Sequence, residues 1–288
     1  MSGWKTIVAA ETLAIALQRP DLVVVDCRHR INDPGFGQSA WVSNHIPGAV
    51  FAHLDRDLSD TSRVGAGRHP LPSADRLCAT LGRLGIDPET QVVAYDERDG
   101  AMAAARLWFL LRLLGHRKVA VLDGGLARWS SQGLPTSSQP RMRPGKTYRG
   151  RYDDSRLLDS IDVADRIQYG LGEAPWLIDA RSPERFSGEN ETIDRVAGHV
   201  PGAINRPYTA NLQADGRLRS PVELASEFRA LLGDREPSEL AVMCGSGVTA
   251  CHHLLAMERA GLEGGKLFAE SWSGWISDAS RPVAIGTV

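Results

Sequence analysis

The chain has 288 residues, of which 42% are hydrophobic and 24% charged, an ordinary composition for a chain that buries its own core. Its 33 basic and 35 acidic side chains leave a formal net charge of −2, which excludes a general nucleic-acid binder and an acidic disordered chain. Four cysteines, Cys27, Cys78, Cys244 and Cys251, with no C-x-x-C pair, exclude a disulfide scaffold and the usual zinc spacings.

From the N-terminus, the first twenty residues carry a single early Lys, and Glu11 interrupts the apolar run, so no leader peptide is expected. Residues 22–26, 91–95 and 118–122 are β-branched, apolar runs without polar alternation, the pattern of buried parallel strands. Residues 101–114 form a helical pattern. That stretch is too short to cross a membrane and carries Arg106 and Arg112. Residues 132–155 hold prolines, glycines and basic residues with little apolar periodicity, and are expected to be a linker with a solvated charge cluster. Strand patterns return at 176–179, 239–243 and 266–268, and a helix at 248–260. The expectation is a cytoplasmic protein with reduced thiols, no membrane association and no nucleic-acid partner.

The chain repeats itself. His45-Ile46-Pro47-Gly48-Ala49 recurs 154 residues later as His199-Val200-Pro201-Gly202-Ala203. Asp26, in an apolar run ending Asp-Cys-Arg, recurs as Asp179 in Asp-Ala-Arg. The segment 122–129, with Gly124-Gly125 and Trp129, parallels 268–275, with Ser271-Trp272 and Trp275. A period this long is a duplicated domain, not a solenoid repeat. The expected fold is α/β: tandem domains, each a central parallel sheet flanked by helices. Residues 1–138 are expected to form the first domain, 139–155 the linker and 156–288 the second.

The chemistry points to residues 240–250. An apolar strand ends at Cys244, a loop of small residues follows, and a helix begins near Val248. Sites in open α/β sheets lie at the carboxyl ends of strands. Gly245 and Gly247 permit a tight curl that aims N–H groups at one point, and the helix start adds positive potential. Both favour a nucleophilic thiolate. The competing reading is a buried cysteine before an ordinary turn.

The segment Cys244-Gly245-Ser246-Gly247-Val248-Thr249 resembles the active-site loop of the two-domain rhodanese family, in its 3-mercaptopyruvate sulfurtransferase branch. Both H-x-P-G-A segments and the D-C-R and D-A-R segments extend the resemblance over nearly the whole chain. It implies a silent first domain and a catalytic second one; Asp96, which cannot carry sulfur, stands where the cysteine would be. It implies a Cys244 persulfide, substrate binding by the loop N–H groups of Gly245, Gly247, Val248 and Thr249, and a carboxylate grip by Arg185, with Arg195 as a second substrate arginine. The segment 187–194 departs from the longer, proline-containing pattern of that branch. Ser246, His69 and Asp55 match the family's proton-relay residues. No metal or organic cofactor is implied; the acceptor would be a thiol such as thioredoxin, or cyanide.

Thiosulfate-using members resemble C-R-K-G-V-T. Here Gly245 and Ser246 replace the two cations, which favours the monoanionic 3-mercaptopyruvate over dianionic thiosulfate. Thiosulfate sulfurtransferase is the alternative, together with a non-catalytic sulfur carrier. A cysteine phosphatase would need Arg at position 250, which is Ala. His45, His199, Asp26 and Asp179 occur in both copies and are expected to be structural. Cys251 is expected to be a small buried residue, and Trp272 and Trp275 to pack. Glu270 and Gly274 stand where members of the family often have Gly and Glu.

Overall fold

The computed structural model describes residues 3–170 and 176–287. The first two residues and the last one, which belong to the expected N-terminal segment and second domain, lie outside the described residues, as do 171–175. The chain divides into two compact units. The first contains residues 1–60, 71–153 and 213–218; the second contains 61–70, 154–212 and 219–288.

The first unit is built on β1 (Ile7–Val8), β2 (Leu22–Asp26), β3 (Val50–Phe51), β4 (Gln91–Tyr95) and β5 (Val119–Leu122). All pair in parallel in the order β1-β5-β4-β2-β3. Its helices are α1 (Ala10–Ala16), α2 (Phe36–Ser43), α3 (Leu54–Asp57), α4 (Ala74–Arg83), α5 (Ala104–Leu113) and α6 (Gly125–Ser131). The central strands β2 and β4 are buried at every position, which is why their sequences run apolar without alternation. All ten residues of α5 are buried, so the apolar stretch around it is a core helix. Arg106 within it donates its Nε–H to the Leu58 carbonyl at 3.4 Å. Among the described residues no helix is long and apolar enough to cross a membrane.

The second unit repeats the plan with β6 (Leu157–Leu158), β7 (Leu177–Asp179), β8 (Ile204–Asn205), β9 (Ala241–Met243) and β10 (Lys266–Phe268). Its parallel order, β6-β10-β9-β7-β8, is the first order shifted by five. Its helices are α7 (Ser160–Gln168), α8 (Pro183–Ser187), α9 (Pro221–Leu232), α10 (Cys251–Arg259) and α11 (Ser271–Trp275). The α/β duplication expected from the repeats is present in both sheets. The two-residue strands β1, β3, β6 and β8 are too short to leave a period in the sequence.

Trp129, Tyr95 and Ile46 anchor one core, and Trp272, Trp275, Phe268 and Phe186 the other. The indole N–H of Trp272 reaches the Val196 carbonyl at 2.9 Å, and that of Trp275 the Pro282 carbonyl at 2.9 Å, so both tryptophans pack as expected. His45 and His199 are buried, and each contacts a backbone carbonyl through Nδ1, of Trp41 and Phe186 respectively. Asp26 and Asp179, expected to be structural, bind both backbone and side chain. Each accepts the N–H of the arginine two residues on, and each also takes that arginine's guanidinium, at 2.6 Å for Arg28 and 2.6 Å for Arg181. These buried ion pairs brace the strand end of each sheet.

The stretch read as a linker packs on the first unit as far as Asp153. Lys146 donates its backbone N–H to the Gly82 carbonyl at 2.9 Å and pairs with Asp87 at 2.8 Å, and Tyr148 stacks on His116.

Candidate active site

The second unit's site grows from β9. Its three buried residues hold the centre of the sheet, and Cys244 is the next residue, 4% exposed. Asp179 pairs with Met243 in one sheet as Asp26 pairs with Tyr95 in the other, so Cys244 and Asp96 occupy equivalent places. The backbone beyond agrees. The Cys244 carbonyl accepts from Trp272 N–H at 3.0 Å, and the Asp96 carbonyl accepts from Leu126 N–H at 3.0 Å.

The loop 245–250 turns between β9 and α10. Gly247 has φ +74°, and a side chain there would meet the Ala269 carbonyl oxygen at 2.4 Å, so only glycine fits. Among the described residues, no protein acceptor is found for the N–H groups of Gly245, Ser246, Val248 or Thr249. Val248 and the loop around it are buried or nearly so. Unspent donors in such a place form an anion nest.

Ser271 supports the cysteine from below. It is a fully buried residue with φ +52°, a left-handed conformation that serine rarely adopts. Its hydroxyl accepts the Cys244 N–H at 3.1 Å and donates to the Phe268 carbonyl at 2.9 Å. At the equivalent place of the first unit stands Gly125, φ +57°, with no hydroxyl to offer. Ser271 escaped the sequence reading because a left-handed serine leaves no local signature.

His69 belongs to the second unit, in the segment 61–70. Its Nδ1 shares a 2.8 Å hydrogen bond with Ser246 Oγ, and both groups are buried. The imidazole tautomer sets which of the two donates. Asp55 lies on α3 of the first unit, where its backbone N–H donates to His53 Nδ1 at 3.1 Å.

Arg185 projects from α8. Its Nε–H donates to the Glu191 carboxylate at 3.0 Å and its Nη2 to Asp194 at 2.9 Å. Arg68, the residue before His69, donates from Nη1 to the other oxygen of Asp194 at 2.6 Å. An ideal Cβ at Gly245 would lie 3.1 Å from Arg68 Nη2 and 3.4 Å from Arg185 Nη2. Two guanidiniums therefore stand over Gly245. The Glu191 and Asp194 side chains that hold them are 2% and 3% exposed. Burial opposes ionisation of Glu191, but the Asp194 and Ile193 N–H groups and the Arg185 guanidinium outweigh it and keep its carboxyl below the usual range.

The Arg195 guanidinium donates to the Ile276 carbonyl. Arg68, beside Arg185 over Gly245, was given no role by the sequence. The only signal was its place beside His69.

The two departures near the tryptophans compensate one another. A Cβ on Gly274 would fall 2.5 Å from the Glu270 Cβ, so a side chain at 270 requires glycine at 274. The Glu270 carboxylate accepts the Ser160 N–H at 3.1 Å, at the start of α7. The other cysteines differ in setting. Burial and the Asp26 carboxylate push the Cys27 thiol well above its usual range, and burial raises Cys78. Cys251, the first residue of α10, is fully buried and its thiol contacts the Gly247 carbonyl at 3.3 Å.

Residues 9–132 and 162–278 each match the rhodanese-like domain, and the chain belongs to that family. Over 97% of its length it is 48% identical to a probable 3-mercaptopyruvate sulfurtransferase of Pseudomonas aeruginosa, covering 98% of that protein. It is 39% identical to a putative thiosulfate sulfurtransferase of Mycobacterium tuberculosis, with 98% of each chain covered. Among solved structures it is similar to the 3-mercaptopyruvate sulfurtransferase SseA of Escherichia coli, at TM-score 0.78 and 30% identity, covering 94% of this chain and 100% of that one.

Proposed function

We propose that the protein is a sulfurtransferase that takes sulfur from 3-mercaptopyruvate, holds it as a persulfide on Cys244 and passes it to a thiol such as thioredoxin, or to cyanide, releasing pyruvate. The observation that carries this reading is the grouping, around one glycine-rich loop, of a cysteine, a serine–histidine hydrogen bond and guanidiniums suited to a carboxylate.

In the first half-reaction the Cys244 thiolate attacks the donor sulfur. The new S–S bond forms as the donor's C–S bond breaks, and the electron pair leaves on pyruvate as its enolate. The proton from the donor thiol moves to the enolate carbon through Ser246 and His69. Loop N–H groups stabilise the persulfide anion. In the second half-reaction an acceptor thiolate attacks the outer sulfur and returns Cys244 as thiolate, a ping-pong scheme. The proposed location is the cytoplasm, in keeping with cysteines that form no disulfide among the described residues.

The charge balance around the loop favours this donor. Arg68, Arg181 and Arg185 are matched by Asp179, Glu191 and Asp194, a neutral set. A set with no net positive charge does not offset desolvation, which costs more for a buried dianion than for a monoanion. Steady-state rates with 3-mercaptopyruvate and thiosulfate test the reading. A preference for 3-mercaptopyruvate of at least about tenfold in kcat/KM is expected, which is ~1.4 kcal/mol of transition-state discrimination. A preference of the same size for thiosulfate would overturn the assignment of donor.

A further inference from the structure

We propose that Arg68 is the second arm of the donor clamp, closing with Arg185 on the carboxylate of the sulfur donor, and that Asp194 positions both arms. The inference rests on the reading of the site as one for a carboxylate-bearing donor.

Four observations carry it. First, the Arg68 and Arg185 tips approach one point over Gly245, at 3.1 and 3.4 Å from where a side chain would begin. The residue after the nucleophile is thus left bare, and the cations come from outside the loop. Second, one buried carboxylate holds both arms. Asp194 Oδ1 takes Arg68 and Oδ2 takes Arg185, which fixes their spacing and leaves Arg68 Nη2 directed at the loop. Third, Arg68 Nε is buried and has no hydrogen-bond partner among the described residues, a spare donor on a guanidinium that faces the site. Fourth, the backbone fixes Arg68 independently of its side chain, since its N–H donates to Ser273 Oγ at 3.0 Å.

The Arg195 guanidinium donates to the Ile276 carbonyl instead of sharing Asp194. On this proposal the residue next to His69 supplies a clamp cation, and the same short segment supplies the proton relay and half of the clamp.

The test is the kinetics of Arg68→Ala and Arg68→Lys with 3-mercaptopyruvate, beside Arg185→Ala, with pyruvate as a sulfur-free carboxylate inhibitor. Arg68→Ala is expected to raise KM and the pyruvate inhibition constant by about tenfold or more with a smaller change in kcat, and Arg68→Lys to fall between it and the parent. Circular dichroism and melting temperature establish that each variant is folded, and the lysine variant keeps the test open should the alanine variant unfold. An unchanged KM and pyruvate constant in Arg68→Ala, where Arg185→Ala raises both, would overturn the clamp while leaving the proposed activity intact. So would a rise in KM on Arg195→Ala and not on Arg68→Ala. If the parent protein prefers thiosulfate, the activity reading fails instead, and the pyruvate constants alone decide whether Arg68 binds a carboxylate.

Discussion

The loops after β4 and β9 stand at the same place in two sheets of the same strand order, yet they treat negative charge in opposite ways. In the first unit Asp96 folds back into its own loop. One carboxylate oxygen accepts from Gly100 N–H at 2.9 Å and Arg98 N–H at 3.2 Å, and the other from Met102 N–H at 3.0 Å. The anion nest is filled by the chain itself. In the second unit the residue at that place is Cys244, and most of the N–H groups of its loop find no acceptor among the described residues. A duplicated nest is thus left open in one copy and closed by its own carboxylate in the other. The supporting residues follow the same division: a strained serine holds the cysteine N–H where the first copy has glycine.

The largest expected effect separates the two loops outright. Cys244→Ser should lower sulfur transfer by about a thousandfold or more, since a hydroxyl cannot form the persulfide. Steady-state cyanide or thiol assays would show it. Removing the relay is expected to cost less: His69→Ala should lower kcat by about a hundredfold, in the range of a positioned acid–base group. A loss of less than about threefold would remove His69 from the chemistry.

The loop after β4 has its own signature in stability. Burial, with the neighbouring Asp99 charge, raises the Asp96 carboxyl from 3.8 to about 7, against the pull of its three N–H donors. The folded state then binds this proton more tightly than the unfolded chain does. Stability is therefore expected to fall as pH rises from about 4 to about 7, by up to a few kcal/mol, and to level off above. Asp96→Asn should remove that part of the slope in denaturant titrations. A variant with the parent's pH profile would contradict the buried, proton-binding role.

The smallest effects exchange the two supports. Gly125→Ser should destabilise by about 1–3 kcal/mol, because its Cβ would sit 2.5 Å from the Arg98 carbonyl oxygen. Ser271→Gly should change stability by less than about 1 kcal/mol, as relief of backbone strain offsets the lost hydroxyl contacts, yet lower kcat several-fold by freeing the Cys244 N–H. Melting curves and kcat for the pair would separate strain from support.

Much of this was legible in the sequence where the cause is local. The runs that became β2 and β4 are apolar because both faces are covered, and the structure returns them with the expected ends. Cys244 stands out in the sequence because an apolar strand runs there into a loop with alternating glycines. Helix α10 starts at Cys251, three residues beyond the expected start, because the glycine-rich curl extends that far. Arg68 was not legible, since its partners, Asp194 and the space over Gly245, lie far away in sequence. The same holds for the exchange of Glu270 and Gly274, which is a matter of shared volume and leaves no pattern. For Arg195, named only through the family resemblance, the sequence carries no sign of the bond its guanidinium makes to the Ile276 carbonyl.

The central claim is that sulfur rests on Cys244 and on no other thiol of the chain. Mass spectrometry of peptides from the protein treated with 3-mercaptopyruvate, without acceptor, tests it most directly. The account predicts a Cys244 peptide heavier by one sulfur atom, formed together with one equivalent of pyruvate and discharged by cyanide. Sulfur found on Cys27, Cys78 or Cys251, or pyruvate released with no sulfur on Cys244, would contradict it.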